Sequence, residues 1–160
     1  MENFWIIKFW KNHRNLWNLL CDRIQLVYSA GFLLLSGIFA FSSGCIVVLE
    51  DLNTGKQNLL LGHAEEVSTL CLTHDCQILA SASGAGTAPS SLTPSQICLW
   101  DMQKLVCKEV LSHHKHNVQK LDFSRDDRFL ISVGECIVIT DVLTGVISYF
   151  LLKQVFWQKF

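Results

Sequence analysis

Charge is scarce in this 160-residue chain: 17% of its residues are Asp, Glu, Lys or Arg, and the formal net charge is −1. No basic stripe interleaved with aromatics runs through it, so nothing supplies a row of phosphate contacts, and nucleic acid is not expected as a partner. Only two prolines occur, Pro89 and Pro94, both inside the stretch GAGTAPSSLTPSQ. The seven cysteines are odd in number and far apart, with no CxxC pair. That pattern suits reduced thiols in a cytosolic protein better than a disulfide framework. GxSxG, P-loop and paired-carboxylate signatures are missing, and Gly84-Ala85-Gly86 leads into no helical pattern able to hold a phosphate. We therefore expect no enzyme activity, no small-molecule substrate and no cofactor. The opening MENFWIIKFWKNHRNLW lacks the charged start, apolar core and small-residue cleavage site of a signal peptide. Its Phe4, Ile7 and Lys8 form only an imperfect amphipathic face.

Apolar residues, by contrast, are abundant, at 50% with a mean hydropathy of +0.31. From Leu26 to Leu49 no side chain is charged. About 20 such residues suffice to span a bilayer as a helix. A single-pass or peripheral membrane protein anchored through residues 26–49 is accordingly the alternative reading. Against it, the two ends of the run have the pattern of strands, Leu26 to Ala30 and Cys45 to Leu49. Between them Gly31 to Ser43 is left as an apolar insert. Its layout, FLLL-SG-IFAF, fits either a short hairpin turning at Ser36-Gly37 or extra sequence spliced into VYSA-GCIVV.

Self-similarity organises the remainder. CIVVLEDLNTGK, QICLWDMQKLVC and CIVITDVLTGVI are each a β-prone run ending in an aspartate, Asp51, Asp101 or Asp141, followed by a short turn and a second apolar run. Gly55 and Gly145 both lie four residues after their aspartate. Upstream, HAEEVSTLCLTHDCQILASAS aligns without a gap to HKHNVQKLDFSRDDRFLISVG, matching Val67 to Val118, Leu70 to Leu121, Leu79 to Leu130 and Ser81 to Ser132. Both copies are two period-2 runs around a polar turn, a hairpin pattern. Aspartates 50 and 40 residues apart, with four strands per unit, indicate the blades of a β-propeller. The expected fold is all-β: an incomplete propeller of about two whole antiparallel four-stranded units and part of a third. The boundaries follow as an irregular or helical segment at 1–24, a repeat array at 25–152 in units of about 25–61, 62–111 and 112–152, and a tail at 153–160. Since a propeller closes with roughly 4–8 blades, the chain also reads as a short isoform or a fragment of a longer propeller protein.

Gly62-His63 at the head of one unit and Trp100-Asp101 at its end resemble the marks of the WD40 family across most of residues 25–150. The similarity is stronger to WD40 proteins of centrioles and cilia. It rests on LLLGHAEEVSTL, LASASG, SQICLWD, LSHH and FSRDDRFLISVG. The resemblance implies a non-enzymatic scaffold with protein partners of centriolar or microtubule-associated type, located in the cytoplasm and cytoskeleton at a centriole or ciliary basal body. It also implies a structural polar network within each blade. By position His63, Ser81 and Trp100 take three of its four places, with no turn aspartate because the insert Gly84 to Ser95 occupies that corner. In the last unit His114 and Ser132 fit, and Thr140 stands where the tryptophan would be. Asp51, Asp101 and Asp141 complete the structural set.

Other clusters invite a more specific chemistry. LSHHKHN places His113, His114 and His116 together with Cys107 nearby, and imidazole and thiolate are good zinc ligands. Neighbouring strand residues point to opposite faces, however, and no second Cys/His pair has finger-like spacing. These histidines read as structural, and no metal is expected. Cys71 and Cys76 bracket His74 and Asp75, but the second copy of the hairpin has Arg125 and Asp127 in place of His74 and Cys76, so a nucleophilic Cys–His pair is not expected. The Gly/Ser/Thr/Pro insert reads as a surface loop between the second and third strands of a blade, and a passive spacer rather than a contact or phosphorylation site.

Overall fold

Twelve strands run as three antiparallel meanders in the computed structural model, which describes residues 32–35, 37–84 and 94–151. The first sheet holds β1 (Phe32–Leu35), β2 (Ile38–Ser43), β3 (Ile46–Asp51) and β4 (Gln57–Leu61). The second holds β5 (Val67–Leu72), β6 (Ile78–Ser83), β7 (Ser95–Asp101) and β8 (Val106–His114). The third holds β9 (Lys120–Phe123), β10 (Phe129–Val133), β11 (Cys136–Asp141) and β12 (Ile147–Leu151). In each sheet the strands follow chain order. The architecture is thus an all-β partial propeller of three four-stranded blades. The unit break expected after residue 111 falls inside β8.

The apolar run corrects one expectation. The strand paired with β3 is Ile38–Ser43, with Ala40 opposite Leu49 and Ser43 opposite Ile46. It is not Leu26–Ala30, which lies outside the described residues. Gly31 to Ser43 is therefore not an insert, because it supplies β1 and β2, with Leu35 opposite Ile38 and Gly37 at a φ of 89° in the turn between them. Of the two layouts open from the sequence, the hairpin is the one observed. A spanning helix through 26–49 is ruled out by the same pairing, since three strands occupy most of it. Among the described residues no helix is long and apolar enough to cross a membrane. The segment 1–24, the tail 153–160 and most of the insert, residues 85–93, lie outside the described residues.

Burial explains why the middle blade repeats the pattern most faithfully. Its β6 and β7 are buried on both faces. On one face Leu70, Leu79, Cys98 and Trp100 pack with Ala40, Val47, Leu49 and Leu60 of the first sheet. On the other Ala80, Ala82, Ile97 and Leu99 pack with Val118, Leu121, Phe123 and Leu130 of the third. Among the described residues the third sheet is packed by a neighbouring sheet on one face only, and β10 alternates buried and half-buried residues with period 2. The first strand of the middle sheet, β5, lies against β1 and β2 on one side and β9 on the other. Polar bonds cross both seams. Val67 N–H donates to Gly44 O at 2.9 Å, and Ser68 Oγ donates to Val118 O at 2.8 Å.

Each blade ends its third strand in the same aspartate turn. Asp51 Oδ1 accepts the N–H groups of Asn53 and Thr54, at 2.8 and 3.2 Å. Asp101 Oδ1 accepts those of Gln103 and Lys104, and Asp141 Oδ1 those of Leu143 and Thr144, all at 2.9–3.0 Å. The backbone then closes through Gly55, Leu105 and Gly145, whose N–H groups bond the aspartate carbonyls. All three sit in the left-handed region, at φ of 73°, 57° and 69°. Glycine suits that conformation and leucine does not.

Candidate functional site

The corners where one blade passes into the next carry the polar chemistry of the molecule. The connector after β4 delivers His63 into the second sheet, where its Nε2 lies 2.6 Å from Ser81 Oγ on β6. Trp100 Nε1 donates to the same Oγ at 2.7 Å from β7. The indole N–H can only donate, so Ser81 accepts from it and its own proton is free for His63 Nε2. That order leaves the proton of His63 on Nδ1, which faces Cys98 Sγ at 3.8 Å. His63, Ser81 and Trp100 are all buried, and burial lowers the imidazole pKa to about 4, so His63 is neutral at pH 7. Gly62 makes room for this: a Cβ there would lie 2.9 Å from the Trp100 ring. Its φ is not positive, so close approach is what calls for glycine.

The third blade builds a variant corner. His114, the last residue of β8, places Nε2 2.8 Å from Ser132 Oγ on β10. Thr140 occupies the register position of Trp100, since Leu130 pairs with Thr140 as Leu79 pairs with Trp100. Glu135, not singled out from the sequence, comes from the β10–β11 turn to within 3.4 Å of His114 Nδ1 through Oε2. Its Oε1 accepts the Lys115 N–H at 2.7 Å. Partial burial would raise the Glu135 pKa, but this N–H and others outweigh it and hold the carboxyl below its ordinary range. The first blade sets other residues at the matching place. Ile38 pairs with Asp51 as Ile78 pairs with Asp101, which sets Phe41 where Ser81 stands and Glu50 where Trp100 stands. Glu50 accepts from Gln57 Nε2 at 2.9 Å.

Asp51, Asp101 and Asp141 lie at the opposite end of the strands from the histidines. N–H donors, foremost those of Asn53, Lys104 and Thr144, hold each carboxyl below the usual range. Asp141 also accepts from Arg128 Nε at 3.0 Å. The eight residues singled out from the sequence therefore fall into two groups, blade-head networks and turn aspartates, and do not converge on one point.

The other clusters disperse. His114 is buried, His116 is exposed, and His113 packs edge-on to the Tyr149 ring with centroids 6.3 Å apart. Cys107 is exposed on β8. His74 turns away from the cysteines to Asp127 across the seam, Nδ1 to Oδ1 at 2.7 Å. Burial pushes the Cys71 thiol up to about 11, with Asp122 adding to the effect. The Cys98 thiol is pushed up to about 12 by burial and by Cys107 beside it. Both are protonated at neutral pH and poor nucleophiles.

Comparison with known proteins agrees with this architecture. The WD40 family, described as WD domain, G-beta repeat, matches residues 105–139. WD repeat-containing protein 90 of Xenopus tropicalis is 49% identical over 100 residues, which is 62% of this chain and 5% of that protein. Its Mus musculus counterpart is 44% identical over 119 residues, 74% of this chain and 6% of that protein. Cilia- and flagella-associated protein 52 of Chlamydomonas reinhardtii is 35% identical over 107 residues, 64% of this chain and 17% of that protein. The chain spans only a small part of the length of each relative. Its last repeat matches the WD40 family, and over most of its length the chain resembles WD repeat-containing protein 90.

Proposed function

We propose that this chain is a non-enzymatic interaction scaffold of ciliary cytoskeleton, binding centriolar or microtubule-associated protein partners. In that role His63, Ser81 and Trp100, with His114 and Ser132 in the next blade, act as structural clamps. Asp51, Asp101 and Asp141 set the turns, and the repeat array runs over 25–152. One observation supports the reading above others. Two differently named sets of relatives, one of them cilia- and flagella-associated by name, each match more than half of this chain. The stacked blades offer partners rigid surfaces, and apolar Leu59, Leu61, Val106 and Val110 stand exposed on the fourth strands β4 and β8, as exposed edges that pair with other chains do.

The test is localisation of the tagged chain in ciliated cells, with proximity labelling of its neighbours. Enrichment at the ciliary base is expected, and Trp100→Ala, which removes the clamp, should disperse it. Even distribution of the intact, folded chain through the cytoplasm would overturn the proposal.

A further inference from the structure

The corner of the third blade contains donors that its clamp does not use. Among the described residues, His114, Glu135 and Cys136 form the one group of three side chains whose ligand atoms all lie within 4.8 Å of one another. His114 is 1% exposed and Cys136 6% exposed, whereas Glu135 reaches solvent. The Nε2 of His114 is fixed by Ser132 Oγ at 2.8 Å, which aims Nδ1 at the other two residues. Nδ1 has no short hydrogen bond there. Glu135 Oε2 is 3.4 Å away and Cys136 Sγ 4.0 Å, whereas a strong N–H···O bond is about 2.7–3.2 Å long.

The 3.4 Å between nitrogen and oxygen suits a shared cation better than a shared proton, and the sulfur at 4.0 Å would move in by a few tenths of an ångström on binding. Zinc bonds of about 2.0–2.1 Å to nitrogen or oxygen and about 2.3 Å to sulfur, set at the tetrahedral angle, put nitrogen and oxygen about 3.3 Å apart and nitrogen and sulfur about 3.6 Å apart. We propose that His114 Nδ1, Glu135 Oε2 and Cys136 Sγ bind a divalent zinc-class cation, with the fourth position open to solvent on the Glu135 side. A neutral imidazole, a thiolate and a carboxylate carry two negative charges, which balance the cation. On binding, the Cys136 S–H proton leaves to solvent. The surroundings are already arranged as an outer shell should be. Ser132 holds the imidazole, and Lys115 N–H holds Oε1 of Glu135, leaving Oε2 turned inward. Gly134 keeps the approach open, because a Cβ there would lie 2.8 Å from His114 Nδ1. This donor set differs from the one weighed in the sequence, since Cys107, His113 and His116 take no part. The equivalent corner of the middle blade brings Cys98 to His63 but supplies no described carboxylate.

Titration of the reduced full chain with cobalt(II), a spectroscopic stand-in for zinc, tests the site. One equivalent should bind and give a thiolate-to-cobalt charge-transfer band, bleached by added zinc. Cys136→Ser should abolish the band, and Cys107→Ser and Cys45→Ser should leave it intact. Glu135→Gln, a change at an exposed side chain that does not threaten folding, should weaken cobalt binding by roughly tenfold or more. Absence of the band in the unsubstituted chain would overturn the proposal. So would a band that survives Cys136→Ser, or a cobalt affinity that Glu135→Gln leaves unchanged.

Discussion

Single residues in this molecule repeatedly occupy backbone positions better suited to glycine. Leu105 closes the second aspartate turn at a φ of 57°, where the other two blades use Gly55 and Gly145. A β-carbon in that region costs about 1–2 kcal/mol, partly offset by the greater chain entropy that glycine loses on folding. Leu105→Gly is therefore expected to stabilise the chain by about 0.5–1 kcal/mol, read as a rise in the urea midpoint with an unchanged slope. His63 makes a second prediction at this scale. Burial lowers its folded pKa from 6.5 to about 4, so in that interval the unfolded chain binds a proton that the folded chain refuses. Stability should be fully present above pH 6.5 and fall as pH drops toward 4, by at most about 3 kcal/mol from this group. His113, also lowered by burial, adds to the same slope. Equilibrium unfolding across that window checks it, and His63→Gln should flatten the dependence.

Between elements, a turn carboxylate staples the seam of the second and third blades. Asp127, in the β9–β10 turn, accepts the backbone N–H of His74 at 2.7 Å and that of Asp75 at 3.0 Å, together with His74 Nδ1 at 2.7 Å. It does so from a φ of 57°, and Cys76 holds the matching place in the β5–β6 turn at 62°. The backbone strain at Asp127 is offset by what its carboxylate gains across the seam. Partial burial would raise the pKa of Asp127, but the donors from His74 and Asp75 outweigh it and hold it below the ordinary value. Its contribution is accordingly present above that ordinary value and lost as pH falls below it. Asp127→Ala keeps a β-carbon in the strained conformation and deletes all three bonds, and should cost about 1–2 kcal/mol. Asp127→Gly removes the strain as well and should cost measurably less. The difference between the two variants, taken from chemical denaturation, isolates the strain.

At the scale of the whole molecule, the third sheet has one face that no other described sheet packs on. Ile131, Val133, Ile137 and Ile139 are half-buried there, at the register positions that Ala80, Ala82, Ile97 and Leu99 hold in the middle sheet, where all four are covered. Apolar faces of this kind drive association. The chain should self-associate with rising concentration in sedimentation velocity. Ile139→Glu, placing a charge on that face, should shift it toward monomer while changing stability by less than about 1 kcal/mol. A monomeric unsubstituted chain at high concentration would contradict this expectation.

Much of the blade pattern is local and can be read directly. The aspartate turns at Asp51, Asp101 and Asp141 depend on donors two and three residues away, so their recurrence in sequence already implies their recurrence in space. The paired hairpins around Leu70 and Leu121 are likewise announced by their gap-free alignment around a polar turn. The apolar run was harder, because FLLLSGIFAF shows no alternation from which a register could be taken, and only pairing with β3 made it β1 and β2. Glu135 was invisible for a different reason. Its partner His114 is 21 residues away, and no spacing rule links a turn carboxylate to the end of a strand in the preceding blade. Leu105, Cys76 and Asp127 escaped notice because the sequence marks left-handed positions by glycine, and these three bring their own compensation or none. What the sequence determined by itself was a repeated β unit with its aspartate turns, since short-range hydrogen bonding and side-chain period dictate them, whereas the places of His63, Ser81 and Trp100 were implied by the family resemblance. Tertiary structure alone decided which strands pair, which face of each blade is covered, and which donors meet at a corner, because those outcomes depend on register and burial between segments far apart in the chain.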